Sequence, residues 1–252
     1  MVTYERRGAA ALLTIDRPER RNAVDGPTAA ELRRGFDAFV ADEGARVLVL
    51  CGAGDEAFCA GADLKALDTL APRLEDEGGP LGFTRLESPK PTIAAVGGWC
   101  VAGGLELALW CDLRVVARGS RLGFTERRWG VPLIDGGTQR LPRIVGQGRA
   151  LDLILSGRIV DADEALRIGL ATEVVAAGAE VSRALEIAEG LAAFPQETML
   201  ADRAAALASF SHPLPDGLAL EARSGAATLR IASEGAARFA GGAGRGGAGS
   251  GV

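Results

Sequence analysis

The sequence is poor in histidine, in paired cysteines and in long apolar runs, and each shortage excludes a class of function. The single histidine, His212, lies in a proline-bounded segment, so chemistry that needs a histidine base would depend on one loop residue. The four cysteines are scattered among apolar residues without a C-x-x-C pair, which predicts small buried side chains in a reducing compartment and no metal site. No apolar run approaches the roughly 20 residues that a membrane span needs. Catalysis would therefore depend on carboxylates and backbone groups.

Positive charge is also scarce. The chain has 28 Lys+Arg against 33 Asp+Glu, a net charge of −5 and a pI near 5.1, which leaves no basic surface for nucleic acid. No basic segment followed by an apolar core begins the sequence, so we expect no signal peptide, no membrane partner and a cytoplasmic location. With 252 residues and 48% hydrophobic composition, the chain can form one large domain, alone or with an appendage.

The most informative stretch, residues 97–112, places a carboxylate one turn inside an apolar helix. The preceding residues 92–96 are an apolar run typical of a buried strand. Gly103 and Gly104 then begin a Leu- and Ala-rich helix, whose first N–H groups are unpaired and favour negative charge. Glycine also lets a substrate approach the backbone closely. Glu106 is therefore a candidate catalytic group, and the structural alternative is a helix cap or an ion pair.

Two further carboxylates follow that helix. Glu126 lies among apolar and aromatic residues, and Asp135 opens a Gly-rich turn that leads into another helix. As isolated residues, both are better explained by ion pairs with Arg127, Arg128 or Arg140. They are nevertheless the second and third carboxylates in the neighbourhood of Glu106.

Small residues surround Ala62 in the segment 57–64, which suits close approach of a ligand to the backbone. Asp63 opens a short predicted helix at residues 64–70, and a plain helix cap is the alternative interpretation of that carboxylate. Residues 72–90 are rich in proline, glycine and charge. They are predicted to form a mobile surface loop that borders the site.

The rest of the pattern alternates strands with helices and then becomes helical. Strands are predicted at residues 9–16, 47–51, 113–117 and 171–175, and helices from 25 to 42, from 161 to 169 and over most of 181–239. The helical stretch after residue 181 has breaks at 194–195 and 212–215. The tryptophans Trp99, Trp110 and Trp129 are assigned to the core.

Residues 52–57 match the dinucleotide-binding pattern G-x-G-x-x-A directly after a strand. Asp55 and Glu56 would place two negative charges where a pyrophosphate must bind, and no helix-length pattern follows. A nucleotide-binding oxidoreductase is nevertheless kept as an alternative function.

In this order, the motifs resemble the crotonase superfamily, and within it the enoyl-CoA hydratases. They are Ile15-Asp16-Arg17-Pro18 with Arg21-Asn22-Ala23, Phe58-Cys59-Ala60-Gly61-Ala62-Asp63-Leu64, Gly103-Gly104-Leu105-Glu106-Leu107-Ala108 with Cys111-Asp112, and Gly136-Gly137-Thr138-Gln139-Arg140-Leu141. The resemblance covers nearly the whole chain. It implies an α/β fold in which repeated ββα units wind into a superhelix, followed by helices that trimerise, commonly into a hexamer. The corresponding domains are a spiral core at residues 1–194, a helical oligomerisation region at 195–240 and a disordered Gly-rich tail at 241–252.

The resemblance also implies the chemistry. The substrate would be a 2-enoyl-CoA thioester, hydrated across its 2,3 double bond without metal or cofactor, since coenzyme A is part of the substrate. The N–H groups of Ala62 and Gly103 would form the oxyanion hole, Glu106 would mainly polarise the water, and Glu126 would mainly deliver the proton. The residues expected to contact substrate or coenzyme A are Arg20, Asn22, Ala23, Ala60, Gly61, Asp63, Leu64, Lys65 and Gly104. Isomerisation, hydrolysis or decarboxylation of an acyl-CoA, or acyl-CoA binding alone, are the alternatives.

The chain departs from the hydratase pattern at residues 133–137, where family hydratases carry Pro-Gly-Ala-Gly-Gly and this chain has Leu-Ile-Asp-Gly-Gly. If Asp135 faces the acyl group, the cost of desolvating its carboxylate disfavours long saturated chains. If it pairs with Arg128 or Arg140, its role is structural. We predict the structural role, because arginines are plentiful nearby.

Overall fold

The computed structural model describes residues 1–242, so nearly all of the predicted tail at 241–252 lies outside the described residues. The chain divides into two compact units, Met1–Ala188 and a second unit that begins at Glu189. The domain boundary predicted after residue 194 stays a prediction.

The elements within the described residues are as follows. The strands are β1 Val2–Arg7, β2 Ala10–Ile15, β3 Val47–Gly52, β4 Ala57–Cys59, β5 Thr92–Val96, β6 Trp99–Val101, β7 Leu113–Ala117, β8 Arg121–Gly123, β9 Ile159–Asp161 and β10 Glu173–Val175. The α-helices are α1 Gly26–Ala41, α2 Gly103–Trp110, α3 Gly137–Val145, α4 Gln147–Ser156, α5 Ala162–Arg167, α6 Glu180–Ala192, α7 Gln196–Ala208, α8 Leu214–Ala227 and α9 Leu229–Ala240. Short 3-10 helices span Pro18–Arg20, Leu64–Thr69, Ala71–Arg73, Thr125–Trp129 and Ser209–Ser211.

The larger sheet has six strands in the order β1-β2-β3-β5-β7-β10. An antiparallel β1–β2 hairpin forms one edge, and the remaining neighbours are parallel. Every residue of β5 is buried, and β3 is buried up to its last residue. Such continuous apolar strands suit the centre of a parallel sheet, which is covered on both faces.

The smaller sheet has four strands in the order β4-β6-β8-β9. Its parallel strands β4, β6 and β8 each follow directly after a strand of the larger sheet, namely β3, β5 and β7. The chain therefore steps repeatedly from one sheet to the other, and a helical segment leads it back to begin the next unit. This repeat confirms the predicted α/β fold of strand–strand–helix units. The strands of the smaller sheet were missed because three residues are too few to show a period.

The segment predicted to be a mobile loop, residues 72–90, is buried in its middle, so that prediction is wrong. Residues 78–84 are all buried. The ring of Phe83 packs edge-on against Trp110, with 4.6 Å between the ring centroids. Gly82 has φ +105°, and a Cβ there would lie 2.3 Å from a carbonyl oxygen of α1. Glycine in this segment permits close packing, whereas the composition alone suggested mobility.

The tryptophans do not all lie in the core. Trp110 is 9% exposed, and its Nε1 donates a hydrogen bond of 2.8 Å to the Leu86 carbonyl. Trp99 is 37% exposed and Trp129 is 72% exposed, which corrects the prediction for both. Trp129 is the last residue of a 3-10 helix, and the chain reverses direction at the next residue, Gly130, which has a left-handed conformation.

The second unit exposes a large apolar surface. No residue of α7, α8 or α9 is buried. The large apolar side chains that are more than half exposed there are Leu207, Phe210, Leu214, Leu218, Leu229 and Phe239. No helix within the described part of the chain combines the length and apolarity needed to cross a bilayer.

Candidate active site

Two peptide N–H groups without acceptors lie together where β4 and β6 end. A Cβ built on Gly61 would be 2.7 Å from the Gly103 nitrogen, and one built on Gly103 would be 3.6 Å from the Ala62 nitrogen. Within residues 1–242, neither the Ala62 N–H nor the Gly103 N–H donates a hydrogen bond. Ala62 itself is anchored, because the flanking Gly61 carbonyl and Asp63 N–H bond to Val24, each at 2.8 Å. The pair is therefore held rigidly and is available to an external acceptor.

The residues that precede these two N–H groups both have positive φ. Gly61 has φ +87°, which glycine adopts readily. Ala102 has φ +53° and ψ −130°, a conformation that costs a non-glycine residue about 1–3 kcal/mol. Its N–H donates to the Gly123 carbonyl at 2.9 Å, and its own carbonyl accepts from the N–H groups of Leu105 and Glu106. These bonds hold the strained turn that joins β6 to α2.

Glu106 lies in the first turn of α2, 3% exposed. Its Oε1 accepts hydrogen bonds from the Asp135 N–H at 3.0 Å and the Gly137 N–H at 2.7 Å. Burial raises the pKa of Glu106 to about 8, the Gly137 N–H opposes the shift, and the carboxylates of Asp135 and Glu126 add to it. The side chain therefore neither caps α2 nor pairs with an arginine, and it is poised to hold or release a proton near neutral pH.

Glu126 is placed on the 3-10 helix Thr125–Trp129, which follows β8. Both oxygens of its carboxyl group are buried, and neither accepts a hydrogen bond from the described residues. Burial raises the pKa of Glu126 to about 7, although its own backbone N–H and the Arg127 charge lower it. A buried carboxyl group without donors is costly to keep, so it indicates a role in ligand binding or catalysis.

Asp135 is 3% exposed and faces inward. Its Oδ1 accepts from the Leu81 N–H at 3.1 Å and from the Thr84 hydroxyl. Arg140 donates to the backbone carbonyls of Asp135 and Thr84, at 2.9 Å and 2.5 Å. The expected side-chain pairing with Arg128 or Arg140 is thus replaced by hydrogen bonds to the buried segment 78–84. The Asp135 carboxylate therefore has structural partners, but they are Leu81 and Thr84 and not the predicted arginines.

The two segments predicted to contact coenzyme A lie side by side. Bridging hydrogen bonds of Val24 join the loop at residues 20–24 to residues 60–65, and the Ala60 N–H donates to the Arg21 carbonyl at 3.0 Å. Arg20, Leu64 and Lys65 are exposed, so their side chains are accessible to a ligand.

Several residues of the predicted coenzyme site also support the surrounding loops. The buried Asn22 side chain donates to the carbonyls of Ala53 and Ala57 at 2.9 and 2.6 Å, and accepts from the Arg17 N–H at 2.9 Å. Asp63 accepts from the Lys65 N–H at 3.1 Å and from the Arg17 guanidinium at 3.3 Å.

Two small residues of the predicted site also have internal partners. The Ala23 carbonyl accepts from Arg17. A Cβ on Gly104 would be 2.0 Å from the Cys59 carbonyl oxygen, so that glycine allows α2 to pack on β4. The contacts of Asn22, Asp63 and Gly104 with a ligand stay predictions, and the structure adds that all three residues support the loops.

Sequence reasoning missed the residues that orient the carboxylates. Leu81 and Thr84 lie in a segment whose composition suggested a surface loop, and Gly137 contacts Glu106 only through its backbone N–H. No side-chain pattern marks such contacts.

Among residues 1–242, no group of three or more His, Cys, Asp or Glu side chains is arranged to hold a metal ion.

Comparison with known proteins identifies the family. The model of the enoyl-CoA hydratase/isomerase family matches residues 5–241. The chain belongs to this family. It is 35% identical to the (E)-benzylidenesuccinyl-CoA hydratase of Thauera aromatica over 221 residues, 86% of this chain and 86% of that protein. It is 39% identical to the crotonyl-CoA hydratase of Syntrophomonas wolfei over 178 residues, 69% of this chain and 68% of that protein.

Solved structures of the enoyl-CoA hydratase/isomerase family share the fold. An enoyl-CoA hydratase from Mycobacterium tuberculosis is 34% identical, with a TM-score of 0.88 and coverage of 95% of each chain. The predicted resemblance to the crotonase superfamily is thereby confirmed, and the chain is an enzyme of that superfamily. The dinucleotide alternative is wrong, because residues 52–57 connect β3 to β4 and no helix begins there to receive a pyrophosphate.

The raised pKa of Glu126 predicts a stability cost that grows with pH. The unfolded carboxyl titrates near 4.5 and the folded one near 7, so between these values the unfolded state loses a proton that the folded state keeps. Stability therefore falls as pH rises through this window. We expect Glu126→Gln to melt at the same temperature as the wild type near pH 4.5 and several degrees higher at pH 8, since the cost removed is about 3 kcal/mol.

Calorimetry across pH 4.5–8 measures this difference. The control is Glu87→Gln, which neutralises an exposed glutamate and should show no pH-dependent gain. Equal melting temperatures of Glu126→Gln and wild type at pH 8 would contradict the expected cost.

Proposed function

We propose that this enzyme hydrates the 2,3 double bond of a 2-enoyl-CoA thioester. The observation that supports the proposal most is the pair of buried carboxyl groups, Glu106 and Glu126, whose pKa values are raised to about 8 and about 7. Between those values the pair holds about one proton in total. Hydration needs such a pair, because one group must accept a proton from water while the other gives a proton to carbon.

The thioester carbonyl would accept hydrogen bonds from the N–H groups of Ala62 and Gly103. Addition of water at the β-carbon moves electrons from the double bond to this oxygen, giving an enolate-like charge. Two fixed N–H donors that lack other acceptors stabilise such charge, and losing one donor costs on the order of 10²–10³ in rate. Gly103 is also the first residue of α2, so the positive end of the helix dipole lies at the same place.

During each turnover Glu106 gains one proton and Glu126 loses one. The order of the two pKa values, about 8 for Glu106 and about 7 for Glu126, leaves the shared proton mainly on Glu106 in the free enzyme. For the reacting complex we assign the ionised form to Glu106, because its Oε1 accepts two N–H donors, which stabilise negative charge. Glu126 lacks donors, which favours its protonated form. Glu106 takes a proton from water as the C–O bond forms at the β-carbon. Glu126 gives its proton to the α-carbon as the C–H bond forms there. The pair again holds one proton after turnover.

The proposed contacts with the substrate follow from the accessible groups. Arg20 and Lys65 are exposed cations beside the paired loops, and they would bind the coenzyme A phosphates. We propose that the enzyme needs no cofactor beyond the coenzyme A of its substrate. We also propose a reducing cytoplasmic environment, which suits the four free, buried cysteines.

An assay with crotonyl-CoA tests the proposed function, since one relative is a crotonyl-CoA hydratase. We expect loss of the enoyl absorbance and a product heavier by one water. Conversion of a 3-enoyl-CoA to a 2-enoyl-CoA without added water would instead establish an isomerase. A thermal-shift measurement separates the classes further, because a ligand that binds only the folded state raises the melting temperature. Stabilisation by NAD and none by acyl-CoA would overturn the proposal.

We further propose that the apolar surface of α7, α8 and α9 is buried between copies of this chain, in a trimer or a hexamer. Three successive helices without a buried residue, which expose several large apolar side chains, are typical of a surface that is covered in an assembly. Sedimentation velocity at micromolar concentration should therefore show a species of three or six chains. Leu218→Glu, which places a charge on the exposed face of α8, should shift the distribution towards the monomer.

The matched control is Gln147→Glu, which adds the same charge at an exposed position of α4 and should leave the assembly unchanged. A wild-type monomer, or equal effects of the two variants, would contradict this assembly.

A further inference from the structure

Asp135 connects two parts of the site, one through its backbone N–H and the other through its carboxylate. Its backbone N–H donates to Glu106 Oε1 at 3.0 Å. Its carboxylate Oδ1 accepts from the Leu81 N–H at 3.1 Å and from the Thr84 hydroxyl. One residue therefore contacts both a candidate catalytic carboxylate and the buried segment 78–84.

That segment is in turn part of the wall around the N–H pair. A Cβ built on Gly103 would lie 2.8 Å from Leu81 Cδ1, so the Leu81 side chain covers the first residue of α2. Arg140 strengthens the same connection by donating to the carbonyls of Asp135 and Thr84. The position of Leu81 over Gly103 and the position of Glu106 are thus set by contacts of the same residue.

We propose that Asp135 is a positioning residue that fixes Glu106 and the Leu81 side chain in one arrangement. The water at Glu106 and the thioester carbonyl at the N–H pair then keep a fixed distance and orientation. This inference rests on the proposed hydratase function. The hydrogen bonds from Leu81 and Thr84 do not require a negative charge at residue 135, since a neutral acceptor of the same shape could accept them. Its negative charge has a second consequence for the groups around Glu106.

Three charged groups face Glu106 from the elements packed against it. Asp135 precedes α3, Arg140 lies on α3, and Glu126 lies on the 3-10 helix after β8. The negative charges of Asp135 and Glu126 favour the protonated form of Glu106, while Arg140 favours the ionised form. Removing the Asp135 charge should therefore lower the pKa of Glu106 and move the corresponding limb of the pH profile to lower pH.

Three variants test the proposal by kcat, KM and pH profile with crotonyl-CoA. Asp135→Ala removes the acceptor, and we expect kcat to fall about tenfold or more with a smaller change in KM, because positioning errors act on the chemical step. Asp135→Asn keeps an acceptor oxygen without the charge. It should restore most of kcat and shift the Glu106 limb downward. Thr84→Val removes one donor in a similar shape and should reproduce part of the Asp135→Ala loss.

Hydrogen exchange provides a readout that does not depend on turnover. Asp135→Ala should speed exchange in residues 78–86 selectively, and Asp135→Asn should not. Wild-type kcat, pH profile and exchange in Asp135→Ala would overturn the proposal, and so would a loss of activity matched by faster exchange throughout the chain. If Asp135→Ala does not fold, Asp135→Asn and Thr84→Val decide it, and wild-type kinetics in both would overturn it. If the wild type hydrates no enoyl-CoA, the proposed function fails, and exchange in residues 78–86 alone then decides whether Asp135 holds the wall.

Discussion

Glu126→Gln should lower kcat for hydration by on the order of 10²–10⁴, the usual contribution of a positioned general acid or base. The amide has nearly the same shape as the carboxyl group and occupies the same buried position, but it cannot give a proton to the α-carbon. Since the carboxyl oxygens make no hydrogen bonds within the described residues, their replacement breaks no internal contact. Binding of the thioester should be almost unchanged, as measured by KM or by the thermal shift with acyl-CoA.

A saturated acyl-CoA in heavy water separates the roles of the two glutamates. It cannot be hydrated, yet its α-proton can exchange through the enolate. Under our assignment, Glu126→Gln abolishes this exchange and Glu106→Gln retains it. Loss of exchange in both variants would mean that the pair shares the α-proton. Exposed Glu87→Gln is the control and should keep both reactions. Hydration by Glu126→Gln at the wild-type rate would refute a catalytic role for Glu126.

Ala62→Pro should lower kcat by on the order of 10²–10³, because proline has no N–H to donate to the thioester oxygen. Loss of this N–H removes no hydrogen bond from the fold of residues 1–242. The bridge to Val24 uses the Gly61 carbonyl and the Asp63 N–H, so the Ala62 N–H contributes no hydrogen bond to the scaffold. The effect should therefore appear in turnover with the fold retained.

Ala62→Val is the matched control, since valine has as many heavy atoms as proline and keeps the N–H. Circular dichroism and melting temperatures check that both variants fold. Because the proline Cδ also lies where the N–H pointed, the difference in kcat between the two variants reports the loss of this donor site. Equal kcat values for Ala62→Pro and Ala62→Val would remove the Ala62 N–H from the mechanism. A loss in KM alone would show that the group binds the substrate without stabilising the charge that develops during reaction.

Several features of the fold could be predicted because they depend on neighbours in sequence. The buried strand β5, the glycines that begin α2 and the position of Glu106 in its first turn follow from apolar runs, breakers and helix geometry. The capping role of Asp25 at α1 is likewise local, since its carboxylate accepts from the Thr28 N–H at 2.9 Å. The long helical stretch after residue 181 was also visible as a change of composition.

Other features could not be predicted, since the same residues suit more than one environment. Gly82 suggested a mobile loop, yet it allows a buried segment to pack on α1. Trp129 suggested core, yet its indole is largely exposed. Asn22 was predicted only to contact a ligand, and the sequence did not reveal that its side chain bonds to Ala53, Ala57 and the Arg17 N–H. In each case the residue type was read correctly and its surroundings were not.

The sequence by itself determined most strands of the larger sheet, several helices, the family resemblance and the identity of the two candidate glutamates, because periodicity and short motifs are properties of adjacent residues. Only the tertiary structure decided which groups meet those glutamates. Glu106 receives N–H donors from Asp135 and Gly137, 29 and 31 residues away, and Asp135 binds Leu81 across 54 residues. Contacts over such separations arise when two sheets and the segments between them fold together, so no local pattern specifies them.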